Sequence, residues 1–78
     1  MSQRSADQVI DGRSLEPPEP FVLTMDALDA MDPSHTLLLI LNREPFPLYR
    51  ALLRQGYAYQ TEITPQGTVE ILIWRKQA

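Results

Sequence analysis

Asp11-Gly12-Arg13-Ser14-Leu15-Glu16-Pro17-Pro18-Glu19-Pro20 opens with turn chemistry and closes with three prolines in four positions. Each proline fixes its own φ and pushes the residue before it toward extended backbone. Proline is nevertheless well placed in a first helical turn, where its missing N–H had no partner to lose. The stretch therefore reads as a turn, a stiff extended link and a helix start. Upstream, Gln8-Val9-Ile10-Asp11 is a short apolar pair running into that turn, which marks strand one. Downstream, Phe21, Met25 and Leu28 share a helical face that Leu23, Ala27 and Met31 widen. This first helix must stop before Asp32-Pro33-Ser34-His35, because Pro33 cannot continue the ladder and disfavours helix at Asp32.

The same device returns after strand two. Thr36-Leu37-Leu38-Leu39-Ile40-Leu41-Asn42 is apolar at both alternating sets of positions, the mark of a central strand covered on both faces. Arg43-Glu44-Pro45-Phe46-Pro47 then precedes a second amphipathic helix carrying Leu48, Leu52 and Gln55, with Tyr49 and Leu53 alongside. Gly56 is a natural stop for it. Tyr57 to Ile63 and Thr68 to Arg75 alternate with period two around Thr64-Pro65-Gln66-Gly67, a hairpin. Tyr57 and Tyr59 fall on one face and read as packing residues. The order β-α-β-α-β-β, with right-handed crossovers, predicts an α+β fold: a two-layer α/β sandwich whose four-stranded mixed sheet carries both helices on one face. Residues 1–7 read as a disordered tail and residues 8–78 as one domain.

Composition narrows the function. With 78 residues, no cysteine and a formal charge of -3, the chain offers neither thiol chemistry nor an attraction for phosphate backbones. Its basic residues are scattered, so nucleic-acid binding is not expected. Apolar runs are far too short to span a bilayer and no export signal is visible, which points to a cytoplasmic protein without a membrane partner. His35 has no co-ligands at metal-site spacing, and the glycines sit at turns and not in a phosphate loop, so no metal or other cofactor is expected. Asp26, Asp29 and Asp32 read as a solvated helix face, and no serine or threonine is paired with a base, so no catalytic residue is assigned.

The segment 11–20 leading straight into a helix resembles the signature of the TusA/SirA-like sulfur-carrier superfamily, as do Asn42-Arg43-Glu44-Pro45 and the Gly56-Tyr57 entry into the hairpin. The resemblance runs from Val9 to Lys76 and is closest to the superfamily's cysteine-free, uncharacterised branch, domain-of-unknown-function family 2249. It implies a TusA-like β-α-β-α-β-β sandwich with a Cys-Pro-x-Pro motif at the start of helix one. Pro18-Glu19-Pro20 matches the Pro-x-Pro half, while the persulfide-accepting cysteine falls on Pro17. Proline has no nucleophile to replace that thiol, so the chain is not expected to be an enzyme.

Two surfaces remain. If strands one and two are parallel neighbours, their βα loops lie side by side. Arg13, Glu16, Pro17, Pro18, Glu19, Pro20, Arg43 and Glu44 then form a candidate binding edge at two helix N-termini. The competing reading is plain surface ion pairing of Arg13 with Glu16 and Arg43 with Glu44, and the prolines also thin out the free N–H donors. On the uncovered sheet face, Leu72 and Trp74 are expected to expose an apolar patch fit for a protein partner. The expectation is a non-catalytic TusA-like binding or regulatory module, monomeric or weakly dimeric, with an unidentified protein partner. Its alternatives are an accessory role in sulfur transfer or redox metabolism beside a thiol-bearing partner, and a small-anion sensor using Arg13 and Arg43.

Overall fold

The computed structural model describes residues 6–76. Its elements are β1 (Gln8–Asp11), α1 (Glu19–Ala30), β2 (Thr36–Leu41), α2 (Phe46–Arg54), β3 (Tyr57–Ile63) and β4 (Val69–Arg75). This is the expected β-α-β-α-β-β order, and the strands lie β1-β2-β4-β3, with β1 parallel to β2 and the other pairings antiparallel. β2 and β4 are the interior strands. Alternation along them sends Leu37, Leu39 and Leu41, with Val69, Ile71 and Ile73, to one face. There they join Leu28 of α1 and Leu48, Tyr49 and Leu52 of α2 in a single buried cluster. Both helices therefore cover the same side of the sheet.

Each boundary has a local cause. α1 begins behind Pro18, and it ends where Met31 turns extended (ψ 147°) ahead of Asp32, whose carboxylate accepts from Ser34 N–H at 2.8 Å. α2 ends at Gln55, followed by Gly56 at φ 88°, a conformation that favours glycine. The β3–β4 turn closes with Thr64 N–H donating to the Thr68 carbonyl at 2.9 Å. Residues 1–5 of the expected tail lie outside the described range, but Asp7, assigned to that tail, is pinned: its N–H donates to Thr36 O at 3.1 Å and its carboxylate accepts from Thr36 N–H at 2.8 Å.

The helix faces differ from the sequence reading in detail. α1 turns Thr24 and Leu28 fully inward, with Met25, Ala27 and Met31 partly buried beside them, whereas Phe21 and Leu23 stay exposed. The stripe is centred on a threonine, which an apolar count passes over. α2 buries Leu48, Tyr49 and Leu52 but leaves Leu53 and Gln55 in solvent. Tyr57 and Tyr59 do pack: Tyr57 is buried, and Tyr59 stacks on Tyr49 at 4.3 Å between ring centroids.

The helix-free face does not expose the patch expected of it. Leu38 and Ile40 point there yet are buried, because Val9 and Leu72 flank Leu38 in register and Asp11 and Glu70 flank Ile40. Leu72 and Trp74 are half-buried, and Val9 at the sheet edge is the large apolar residue of this face that stands exposed.

Thr24 supplies a test, since its hydroxyl is buried without a hydrogen-bond partner among the described residues. Thr24→Val keeps the branched shape and removes that unmet polar group, so urea unfolding should show unchanged stability or a gain of about 1 kcal/mol. Leu28→Ala beside it should cost about 2–5 kcal/mol. A loss above about 1 kcal/mol in Thr24→Val would mean that the hydroxyl is satisfied after all.

Candidate functional site

Parallel pairing sets Asp11 opposite Ile40, so β1 and β2 open onto the same edge of the sheet. Gly12 prolongs the ladder by donating to the Ile40 carbonyl at 2.8 Å. A Cβ on residue 12 would stand 2.9 Å from Leu41 Cδ2 and 3.4 Å from Pro20 Cβ, so glycine is what lets this turn lie against β2 and the start of α1. The chain then folds back, Leu15 N–H donating to Gly12 O at 3.1 Å and Glu19 N–H to Glu16 O at 2.9 Å. Asn42 Nδ2 crosses between the loops to donate to Arg13 O at 3.0 Å.

Between the two loops lies an open cleft of about 640 Å³. The buried Leu39, Leu41 and Leu48 form its floor. Leu15, Pro17, Pro18, Pro20 and Phe21 make one wall, Pro45 and Pro47 the other, with Arg13, Asn42, Arg43 and Glu44 around the opening. This is a largely apolar concavity with a few polar groups, the usual character of a small-molecule site.

Most of those polar groups are already committed. Arg13 grips Asp11 with both arms, Nε to Oδ1 at 2.9 Å and Nη2 to Oδ2 at 2.7 Å, and its backbone N–H adds a third bond at 3.2 Å. The side-chain bonds first and the backbone bond second hold the Asp11 carboxyl down at about 2. Because Asp11 belongs to the helix-free face, the clasp ties this guanidinium to a residue of that face, and Glu70 there adds a weaker attraction. Glu44 Oε2 accepts from the Tyr49 hydroxyl at 3.1 Å, and that hydroxyl lies 2.7 Å from Thr61 Oγ1 on β3. With its one proton on Glu44, Tyr49 takes the Thr61 proton as acceptor. Burial holds the Tyr49 phenol above its ordinary value; the Thr61 bond opposes this and Glu44 adds to it. Arg43 is exposed and enters no ion pair among the described residues.

Helix-end donors are also spent. In α1, Glu19 N–H goes to Glu16 O and Val22 N–H to Pro18 O, while Pro20 has none to give. Phe21 is left as the first-turn amide without a backbone acceptor among the described residues. In α2, Phe46 donates to Glu44 O, and Leu48 and Tyr49 both donate to Pro45 O. The paired dipoles remain, but the N–H cradle that phosphate sites use does not.

Of the residues singled out in the sequence, Arg13, Pro17, Pro18, Pro20, Arg43 and Glu44 are brought together around the cleft. Glu16 and Glu19 are exposed and lie outside its lining. The expected pairs Arg13–Glu16 and Arg43–Glu44 are not formed among the described residues: Asp11, two positions back at the strand end, meets the Arg13 fork, and Tyr49, one helical turn on, takes Glu44. Leu72 and Trp74 belong to the opposite face and contribute nothing here. Sequence reasoning missed Leu15, Phe21 and Asn42, and the two leucines that turn from β2 into the floor. The exposed phenylalanine in a proline-flanked first turn was the available signal. Among the described residues, no three His, Asp or Glu side chains cluster as metal ligands, and no helix is long and apolar enough to cross a membrane.

Comparison with known proteins bears on the scaffold. A family profile described as "Uncharacterized conserved protein (DUF2249)" matches residues 9–75. Among solved structures, a SirA-like protein from Desulfitobacterium hafniense superposes with a TM-score of 0.77 over 90% of this chain and 99% of its own, at 16% identity. That likeness establishes the SirA-like fold. No curated protein matches the chain.

The Asp11–Arg13 clasp is open to direct measurement. Carboxyl carbon shifts should titrate with a midpoint of about 2 for Asp11, and Arg13→Ala, which removes the two side-chain bonds but keeps the backbone N–H, should move it part of the way back toward the ordinary carboxylate value. Because the folded value is depressed, the clasp's contribution to stability is present above the ordinary value and fades as pH falls toward 2. An ordinary midpoint in the unaltered chain would contradict the two-armed geometry.

Proposed function

The chain belongs to the DUF2249 family, and from that membership and the cleft together we propose that it is a non-catalytic binding or regulatory module that engages its ligand at the edge formed by the two β→α loops. The observation that carries this reading is the lining itself. A cleft of about 640 Å³ is walled by leucines, prolines and a phenylalanine. None of these is a nucleophile or a proton-transfer group. Three of the four polar residues at the opening are structural ties: Arg13 holds Asp11, Asn42 holds the Arg13 carbonyl, and Glu44 holds Tyr49. At Pro17, where the TusA/SirA-like signature carries cysteine, a ring contributes shape and no chemistry.

A second surface is favoured by one observation of its own. Leu72 and Trp74 lie half-buried on β4 on the face no helix covers, with the exposed Val9 on β1 across Leu38 from Leu72. Docking of a protein partner there is compatible with ligand binding in the cleft, because the sheet separates the two.

Ligand-observed NMR with a fragment library separates the surfaces. Phe21 is an exposed wall residue, so Phe21→Asp should leave the fold intact and abolish binding of the fragments that the unaltered chain retains. Trp74→Ala should leave those fragments bound. The reverse pattern moves the binding surface to the sheet face, and chemical conversion of any bound fragment contradicts the non-catalytic reading.

A further inference from the structure

Of the charged side chains at the cleft opening, Arg43 is the one without a hydrogen bond or ion pair among the described residues. Arg13 is neutralised by Asp11 through two side-chain bonds, and the Glu44 carboxylate is tied to the Tyr49 hydroxyl, which is itself tied to β3. Arg43, exposed at the opening, has no ion pair among the described residues. The same cleft is lined by Leu39, Leu41 and Leu48, each less than a tenth exposed. An apolar floor under a single uncommitted guanidinium is complementary to a molecule that is apolar at one end and singly anionic at the other.

Resting on the proposal that the cleft is the binding surface, we infer that it takes a small apolar monocarboxylate. The hydrocarbon body lies on Leu39, Leu41 and Leu48 and the carboxylate meets Arg43. Each alternative chemistry lacks something. Phosphate esters and other multiply charged anions need a cradle of several free N–H groups, and the first turns of α1 and α2 have spent all but that of Phe21 on Glu16, Pro18, Glu44 and Pro45 carbonyls. A formal charge of -3 on the whole chain further disfavours ligands with several negative charges. A cationic ligand would meet Arg43 beside a carboxylate already accepting a hydrogen bond. A neutral apolar ligand fits the floor but leaves the arginine idle. A guanidinium–carboxylate contact is charge-assisted and can be two-pronged, and partial shielding by the apolar walls strengthens it relative to open water. The volume of about 640 Å³ admits a chain of several carbons with room for water at the opening.

Octanoate and 1-octanol differ in the charged end alone and serve as the probes. With leucine methyls labelled, octanoate titration should move the Leu39, Leu41 and Leu48 signals along a saturable curve, with a dissociation constant about fivefold or more below that of octanol. Arg43→Gln should raise the octanoate constant to that of octanol and leave octanol unaffected. Arg54→Gln, an exposed charge at the far end of α2, should alter neither. If octanoate and octanol bind alike, or if Arg43→Gln behaves as Arg54→Gln does, the carboxylate inference is overturned while the cleft stands as the binding surface. If neither probe moves the floor methyls, both the inference and the cleft reading fall.

Discussion

Parallel pairing of β1 with β2 is the constraint on which the rest of the molecule depends. β1 has only four residues and lies at the sheet edge, so its own ladder is short. It is held at both ends by bonds just beyond the strand: Asp7 exchanges with Thr36 at the start, and Gly12 donates to Ile40 at the finish. Ile10 packs on the core between them. This register sets the loop after β1 beside the loop after β2, and Asn42 then ties one to the other through the Arg13 carbonyl. Shift β1 by one residue and Val9 and Asp11 would turn inward, Ile10 outward, and the cleft would lose a wall.

Proline gives the resulting corner its character. Helix N-termini that meet at the carboxyl ends of parallel strands ordinarily present N–H groups and a positive dipole to an anion. Here Pro20 and Pro47 occupy helical first turns and remove donors, and carbonyls of the same turns consume most of those left. What remains is a stiff, largely apolar concavity whose walls cost little entropy to order, because the prolines have few conformations to lose. Pro17 stands in the wall of this corner with the other prolines. Stiffness of this kind favours a ligand that fits the cleft without rearrangement.

The architecture was legible because its signals are local and redundant. Unbroken apolarity at 37–41 identifies an interior strand, Pro33 and Gly56 stop the helices, and Thr64-Pro65-Gln66-Gly67 closes the hairpin; each element appears where those residues put it. The site was legible in outline, since six of the eight residues proposed for the loop edge do line the cleft. Its bonding was not. Whether Arg13 finds Asp11 or Glu16 depends on how the turn at Gly12 aims the side chain, and sequence distance does not encode that. Glu44 pairs with Tyr49 because the helix start brings them together, and with Thr61 only because β3 packs against α2. Thr24 was overlooked because its hydroxyl disguises a core position. The helix-free face was read as exposed because single-strand alternation says nothing of the shielding that neighbours across four strands give one another.

The claim at the centre is that two converging helix ends have been turned from an anion cradle into an apolar cleft. Its most direct test is an amide titration of the nitrogen-labelled chain with inorganic phosphate at constant ionic strength. The account requires the signals of residues 15–21 and 42–48 to show no saturable movement at millimolar phosphate, Phe21 N–H included. A saturable shift confined to those two segments would show that the donors are available and would contradict the account.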